Sequence, residues 1–172
     1  MILEDIGSLL LRVALGWLFL TGAWASCKDK AARDFTVSES ALVFKWRPEL
    51  FAMLGVLMMG LGGLSVLFGV FPRLGALAMT IFLVPAAMIH FAKRGQAMAL
   101  QAEIEPALAA KPEAEAALKL LTTTAVFGHF TAGIKTLSLL GASLYLVLAG
   151  AREPMLIGFG ADGHWHGFLT RL

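Results

Sequence analysis

Charge is what this sequence has least of. Its 14 Lys or Arg and 12 Asp or Glu make up 15% of 172 residues, where an average soluble domain carries about a quarter. A disordered chain has the opposite composition, so disorder is excluded. Cysteine is nearly absent: Cys27 stands alone, which excludes an internal disulfide framework and a CxxC redox pair. The net charge is +2, with no basic stripe along the chain, so nucleic acid is not an expected partner. What remains is apolar. Hydrophobic residues make up 58% and the mean hydropathy is +0.77, and they fall in long blocks rather than alternating with polar ones. This is the composition of an integral membrane protein, with the lipid bilayer as its first partner.

Four blocks are candidate spans, because a helix needs about 20 apolar residues to cross a ~30 Å core. Ile6 to Ser26 carries one charge, Arg12, and Leu50 to Phe71 carries none. Leu74 to Phe91 contains Pro85, which a membrane helix tolerates when neighbours satisfy the freed carbonyl. The last block, Thr136 to Gly150, has only 15 residues, so the fourth span is expected over about 130–150, with Lys135 inside it or at the interface. The expected fold is an all-α membrane four-helix bundle with antiparallel neighbours. Residues 1–172 are expected to form one transmembrane domain, with 151–172 as a short interfacial tail. Glu4 and Asp5 stand where a signal peptide would be basic, so the first block reads as a retained helix.

The connections differ in kind. Pro72 and Arg73 alone separate spans two and three. Residues 28–49 are polar and end in Phe44-Lys45-Trp46-Arg47-Pro48, a cluster suited to headgroups. Ala92 to Thr124 is helix-prone in composition, and Pro106 and Pro112 are expected to break it into short surface pieces. Loops one and three hold nine Lys or Arg (28, 30, 33, 45, 47, 93, 94, 111 and 119) against Arg73, Arg152 and Arg171 on the other side. That asymmetry predicts cytoplasmic loops one and three.

Small residues mark helix contacts in lipid. Gly55, Gly62 and Gly69 recur every seven residues, nearly one face of a helix, and are the expected packing stripe. Gly60, Gly63 and the pair Ala76 and Thr80 add small sites. None has the context of a phosphate loop.

Few side chains offer chemistry. Arg12 lies about two turns into span one; it either snorkels to headgroups, pairs with Glu4 or Asp5, or makes a ligand contact or an ion pair inside the bundle. At the opposite membrane face, Cys27 and Lys28 end span one, His90, Lys93 and Arg94 end span three, and His129 and Lys135 begin span four. Lys28, His90, His129 and Lys135 with Arg12 are the candidate ligand residues: an anion or headgroup rim, or the mouth of a quinone pocket where histidine moves protons. The competing reading is ordinary positive-inside charge with interfacial histidines. No cofactor motif is present; quinone is the cofactor the rim allows, and two histidines without a motif make a weak haem site. His164 and His166 resemble a metal-binding pair but lack a third ligand, so no metal is expected. Cys27 beside Lys28 reads as an inert thiol more readily than as a nucleophile.

The chain resembles the DoxX family of small four-span membrane proteins. The stretches that carry the likeness are Leu9 to Leu20 around Arg12 and Gly16, Gly62-Gly63 through Pro72-Arg73-Leu74, Ile89-His90-Phe91 with Gly95, and Lys135 with Leu139-Leu140-Gly141. The resemblance covers most of residues 7–150. It implies a bacterial inner-membrane protein linked to redox or sulfur metabolism, since relatives include a membrane subunit of thiosulfate:quinone oxidoreductase. DoxX-like sequences commonly carry a lysine after span one and a glutamate in span two; here Ser26 and Met59 stand at those places. Losing both partners is what a disbanded intramembrane ion pair looks like, because losing one strands a costly charge. The expectation is therefore an accessory subunit docked on other membrane protein subunits of a redox complex. The alternative is a quinone-linked oxidoreductase subunit acting on thiosulfate. A transporter ranks last, since there is no internal repeat, four spans are few and only Pro85 hints at a midplane break.

Overall fold

The structure is a computed structural model that describes residues 2–149, with side chains from residue 6 onward. Its helices are α1 (Ile2–Cys27), α2 (Lys30–Ser40), α3 (Pro48–Phe68), α4 (Pro72–Leu108) and α5 (Pro112–Ala149). All but α2 are long and apolar enough to cross a membrane. This is the all-α four-helix bundle expected from the apolar blocks. The helices are laid out as a row: α1 packs on α3, α3 on α4 and α4 on α5, while α1 and α5 barely touch. Leu15, Phe19, Met59, Val66, Met79, Leu83 and Leu146 fill the shared core. Outward leucines and tryptophans such as Leu10, Trp17 and Trp24 stay exposed, as lipid-facing side chains should.

Helix starts follow from proline. Pro48 and Pro72 occupy the first helical positions of α3 and α4, where the missing N–H costs nothing and φ is already helical. In both cases the preceding residue, Arg47 or Phe71, is left-handed, with φ of 50° and 52°. Asp29 caps α2 by accepting the Ala32 N–H at 2.7 Å, which satisfies one orphan donor of its first turn.

Two sequence expectations need correction. Ala92 to Thr124 is not a loop of short pieces. α4 and α5 run on as continuous helices of 37 and 38 residues, about 55 Å each at 1.5 Å per residue. Pro106 falls in the last turn of α4 and Pro112 opens α5, so neither interrupts a helix. They form a helical hairpin that continues about 25 Å past Phe91. Gly69 does not sit on a helix face either. It is the C-cap of α3 with φ 71°, a conformation glycine adopts without a Cβ penalty. α3 therefore ends at Phe68, short of the expected Phe71, and Ser65 Oγ ties the turn by donating to the carbonyls of Val70 (2.6 Å) and Phe71 (2.9 Å).

Close packing sits at Gly62 of that stripe and at the adjacent Gly63, which face opposite neighbours. A Cβ on Gly63 would lie 3.1 Å from the Gly16 carbonyl of α1, and one on Gly62 would lie 3.0 Å from the Gly75 carbonyl of α4. The reverse contacts are tighter: a Cβ on Gly16 would meet Leu67 Cβ at 2.7 Å, and one on Gly75 would meet Ser65 Oγ at 2.4 Å. Both helices thus approach α3 at backbone distance. Gly55, the remaining member of the expected stripe, takes the Phe82 ring at 3.3 Å from its missing Cβ.

Candidate functional site

The contacts of α4 with α5 fix the register at the face where the hairpin leaves the bundle. The Phe91 ring seats on buried Gly133, 2.9 Å from where a Cβ would be. One turn from this seat, His90 of α4 and His129 of α5 meet with ring centroids 6.0 Å apart and planes tilted by 35°. On the next turn of α4, the Arg94 guanidinium lies over the Phe130 ring at 5.3 Å. α2 closes the cluster from the α1–α3 side: Glu39 pairs with Lys93, and the Lys93 ammonium sits 4.6 Å from the centre of the Phe35 ring. α2 is held in turn by Arg33, which donates to the Cys27 carbonyl at 3.0 Å, and by Thr36, whose hydroxyl reaches the Ser26 carbonyl at 3.3 Å.

Two nitrogens in this cluster are buried without a hydrogen-bond partner: His90 Nδ1 and Arg94 Nε. They stand four residues apart on one face of α4, so the cluster offers more polar capacity than the protein itself uses. His90 and His129 are therefore the two predicted site residues that the fold brings together. Lys135 is exposed on α5, about level with Ile89, and Lys28 is exposed in the bend between α1 and α2. Sequence reasoning missed Glu39: it is one of four acids in residues 28–49, and no local pattern singles it out. Among the described residues, no three His, Cys, Asp or Glu converge as metal ligands. His164 and His166 lie outside the described residues.

Arg12 belongs to the opposite face and to a different role. It is 3% exposed, so it does not snorkel. Its Nε donates to the Val66 carbonyl at 3.1 Å. Val66 is in the last turn of α3, whose carbonyls have no helical donors and carry the negative end of the dipole. A guanidinium there satisfies an orphan acceptor and opposes that partial charge. The side chains of Glu4 and Asp5, the other expected partners, lie outside the described residues.

A DoxX family model matches residues 7–92, half of the chain. The chain belongs to the DoxX family. No curated protein and no solved structure matches it. The DoxX match takes in α1 from Gly7, α2, α3 and α4 as far as Ala92, together with the Gly16–Gly63 and Gly62–Gly75 contacts, Arg12, Glu39 and His90; Lys93, Arg94 and α5 with His129 lie beyond it. Met59, where DoxX-like sequences commonly place an acid, is buried, its sulfur 3.5 Å from the missing Cβ of Gly22 on α1. Ser26 follows one turn later on α1. The two positions where this DoxX chain lacks a charge thus lie near each other across the α1–α3 contact.

Proposed function

We propose that this DoxX-family protein is an accessory subunit of a larger membrane redox complex, in a bacterial inner membrane with α2 and the hairpin on the cytoplasmic side. The observation that carries the reading is the hairpin of α4 and α5. Its polar residues, among them Gln96, Gln101, Glu103, Lys111 and Glu113, suit it to water rather than lipid. Glu105 and Lys119 pair across it at 3.0 Å, which fixes one flank. By helical rotation Ile104 and Leu121 fall on the other flank, with Leu100 one turn away from Ile104. These three are 40%, 69% and 55% exposed. Apolar side chains lined up along a water-facing flank mark a protein contact. The redox assignment rests on the family resemblance and the side of the membrane on the Lys and Arg count; the apolar Met59 supports a component over a catalyst. The test is extraction in mild detergent. The chain co-migrates with a larger complex if the reading is right, and a lone stable monomer in every extract overturns it.

A quinone-linked subunit of thiosulfate metabolism is the second reading, favoured by the His90–His129 pair at the mouth of an apolar bundle. Quinone reduction by the purified protein, lost in His90→Ala and Lys135→Ala, is its expected signature. Unchanged activity in both variants removes it.

A further inference from the structure

We propose that the His90, Arg94 and His129 cluster between α4 and α5 is a phosphate-binding site. Arg94 carries the argument. Residues 72–102 and 116–149 contain no Asp or Glu, so neither helix near the cluster supplies it with a carboxylate. Of the two acids on α2, Asp34 pairs with Lys30 on its own helix and Glu39 is taken by Lys93. The Arg94 guanidinium is left stacked on Phe130 with its Nε buried and unpartnered, and His90 Nδ1, one turn earlier on the same face, is in the same state. Buried polar nitrogens without partners are costly and rare. A planar guanidinium beside two imidazoles is a donor set matched to a tetrahedral oxyanion, which Arg engages with two parallel bonds. Depth selects phosphate among oxyanions: the cluster begins where the apolar segment of α4 ends, at the level of lipid headgroups, and Trp46 and Arg47 at the start of α3 lie at this same face. The phosphate belongs either to a lipid headgroup or to free inorganic phosphate. The site is independent of whether the protein is an accessory subunit.

The experiment uses the full chain, stripped of lipid in mild detergent, with two probes in parallel. Native mass spectrometry counts phosphatidylglycerol retained per chain, and titration calorimetry follows inorganic phosphate alone. The variants are Arg94→Gln, Arg94→Lys, His90→Gln and Lys111→Gln, the last removing the same charge at the exposed hairpin tip. Losing one charge-assisted contact should weaken binding about tenfold or more in Arg94→Gln. His90→Gln should weaken it less, Arg94→Lys should recover part, and Lys111→Gln should match the parent. Retention of phosphatidylglycerol with this ranking identifies a lipid headgroup as the source; the same ranking with inorganic phosphate alone identifies free phosphate. If Arg94→Gln does not fold, His90→Gln against Lys111→Gln makes the same comparison at unchanged local charge. Equal binding of both probes by the Arg94 or His90 variants and Lys111→Gln, or no binding by the parent chain, overturns the proposal.

Discussion

Gly16 and Gly63 matter for the atoms they lack. A Cβ at Gly16 would meet Leu67 Cβ at 2.7 Å and the Gly63 carbonyl at 2.9 Å, and neither neighbour is the free end of a flexible chain. Gly16→Val should therefore push α1 off α3 and lower stability in mixed micelles by about 1–3 kcal/mol, the usual range for overpacking. Gly141 on α5 has nothing within 4 Å of its missing Cβ, so Gly141→Ala should raise helix stability by about 0.5–1 kcal/mol. The opposite signs separate contact from propensity; a loss at both positions would mean that the glycines act through something other than helix approach. Arg12 makes a second residue-scale case. Arg12→Met keeps the length of the side chain and removes the donor to Val66, and should cost about 1.5–3 kcal/mol in the same unfolding measurement, the range for a hydrogen bond to a charged group. The sequence reading saw that a charge at position 12 needs a reason, but not which one. The choice between headgroups and the Val66 carbonyl depends on the rotation of α1 about its axis, and that is set by its packing on α3 through Gly16, a partner that no local pattern identifies. Gly69 failed for a similar reason: a glycine repeating every seven residues looks the same whether it packs or ends the helix.

Elements were easier to foresee inside the bilayer than outside it. Twenty apolar residues in lipid have one solution, a helix with its own hydrogen bonds, so four spans followed directly from the blocks. Beyond Phe91 the sequence turns polar, and composition alone does not tell where Pro106 and Pro112 fall within a helix; a proline in a last turn or at a first position breaks nothing. The hairpin tip is held by Lys119, which pairs with Glu115 at 2.6 Å and Glu105 at 3.0 Å. Its hydrogen bond to Glu115, then that to Glu105, raises the Lys119 pKa, and the hydrogen bond from Lys119 lowers that of Glu105. The signs set a pH window. The Glu105 contribution is present above the ordinary carboxylate range and is lost as pH falls through its lowered value. The Lys119 contribution is complete below the ordinary lysine value and is lost as pH rises through its raised value. Spin labels at positions 103 and 121, with Cys27→Ser as background, should give a narrow distance distribution at neutral pH that broadens below about pH 4 and only above about pH 11. These groups are fully exposed, so the effect should also weaken in high salt. Broadening centred near neutral pH would assign the tip to other groups.

At the scale of the whole molecule, two separable parts carry two kinds of contact. The bundle is consolidated at α3, where Gly62 and Gly63 take α4 and α1 on opposite sides and Val66 and Met59 lie in the common core. None of those contacts reaches past the His90–His129 level. The hairpin beyond that level holds itself together and turns Leu100, Ile104 and Leu121 outward. Sequence reading reached the bundle because lipid constrains it, and reached the two histidines because antiparallel spans had to return them to one face. It could not reach the outward flank, which exists only once two helices are in register. This division predicts that the parts fail separately. Replacing residues 96–125 with a short Gly-Ser linker should leave the four-span bundle folded, with detergent unfolding close to that of the parent chain, while abolishing co-migration with the larger complex. Leu121→Glu alone should weaken co-migration in the same direction without altering the bundle. A linker variant that still co-migrates would move the docking surface into the bilayer, onto the exposed face of α1 around Trp17 and Trp24. One that fails to fold would make the hairpin part of the core rather than an arm built upon it.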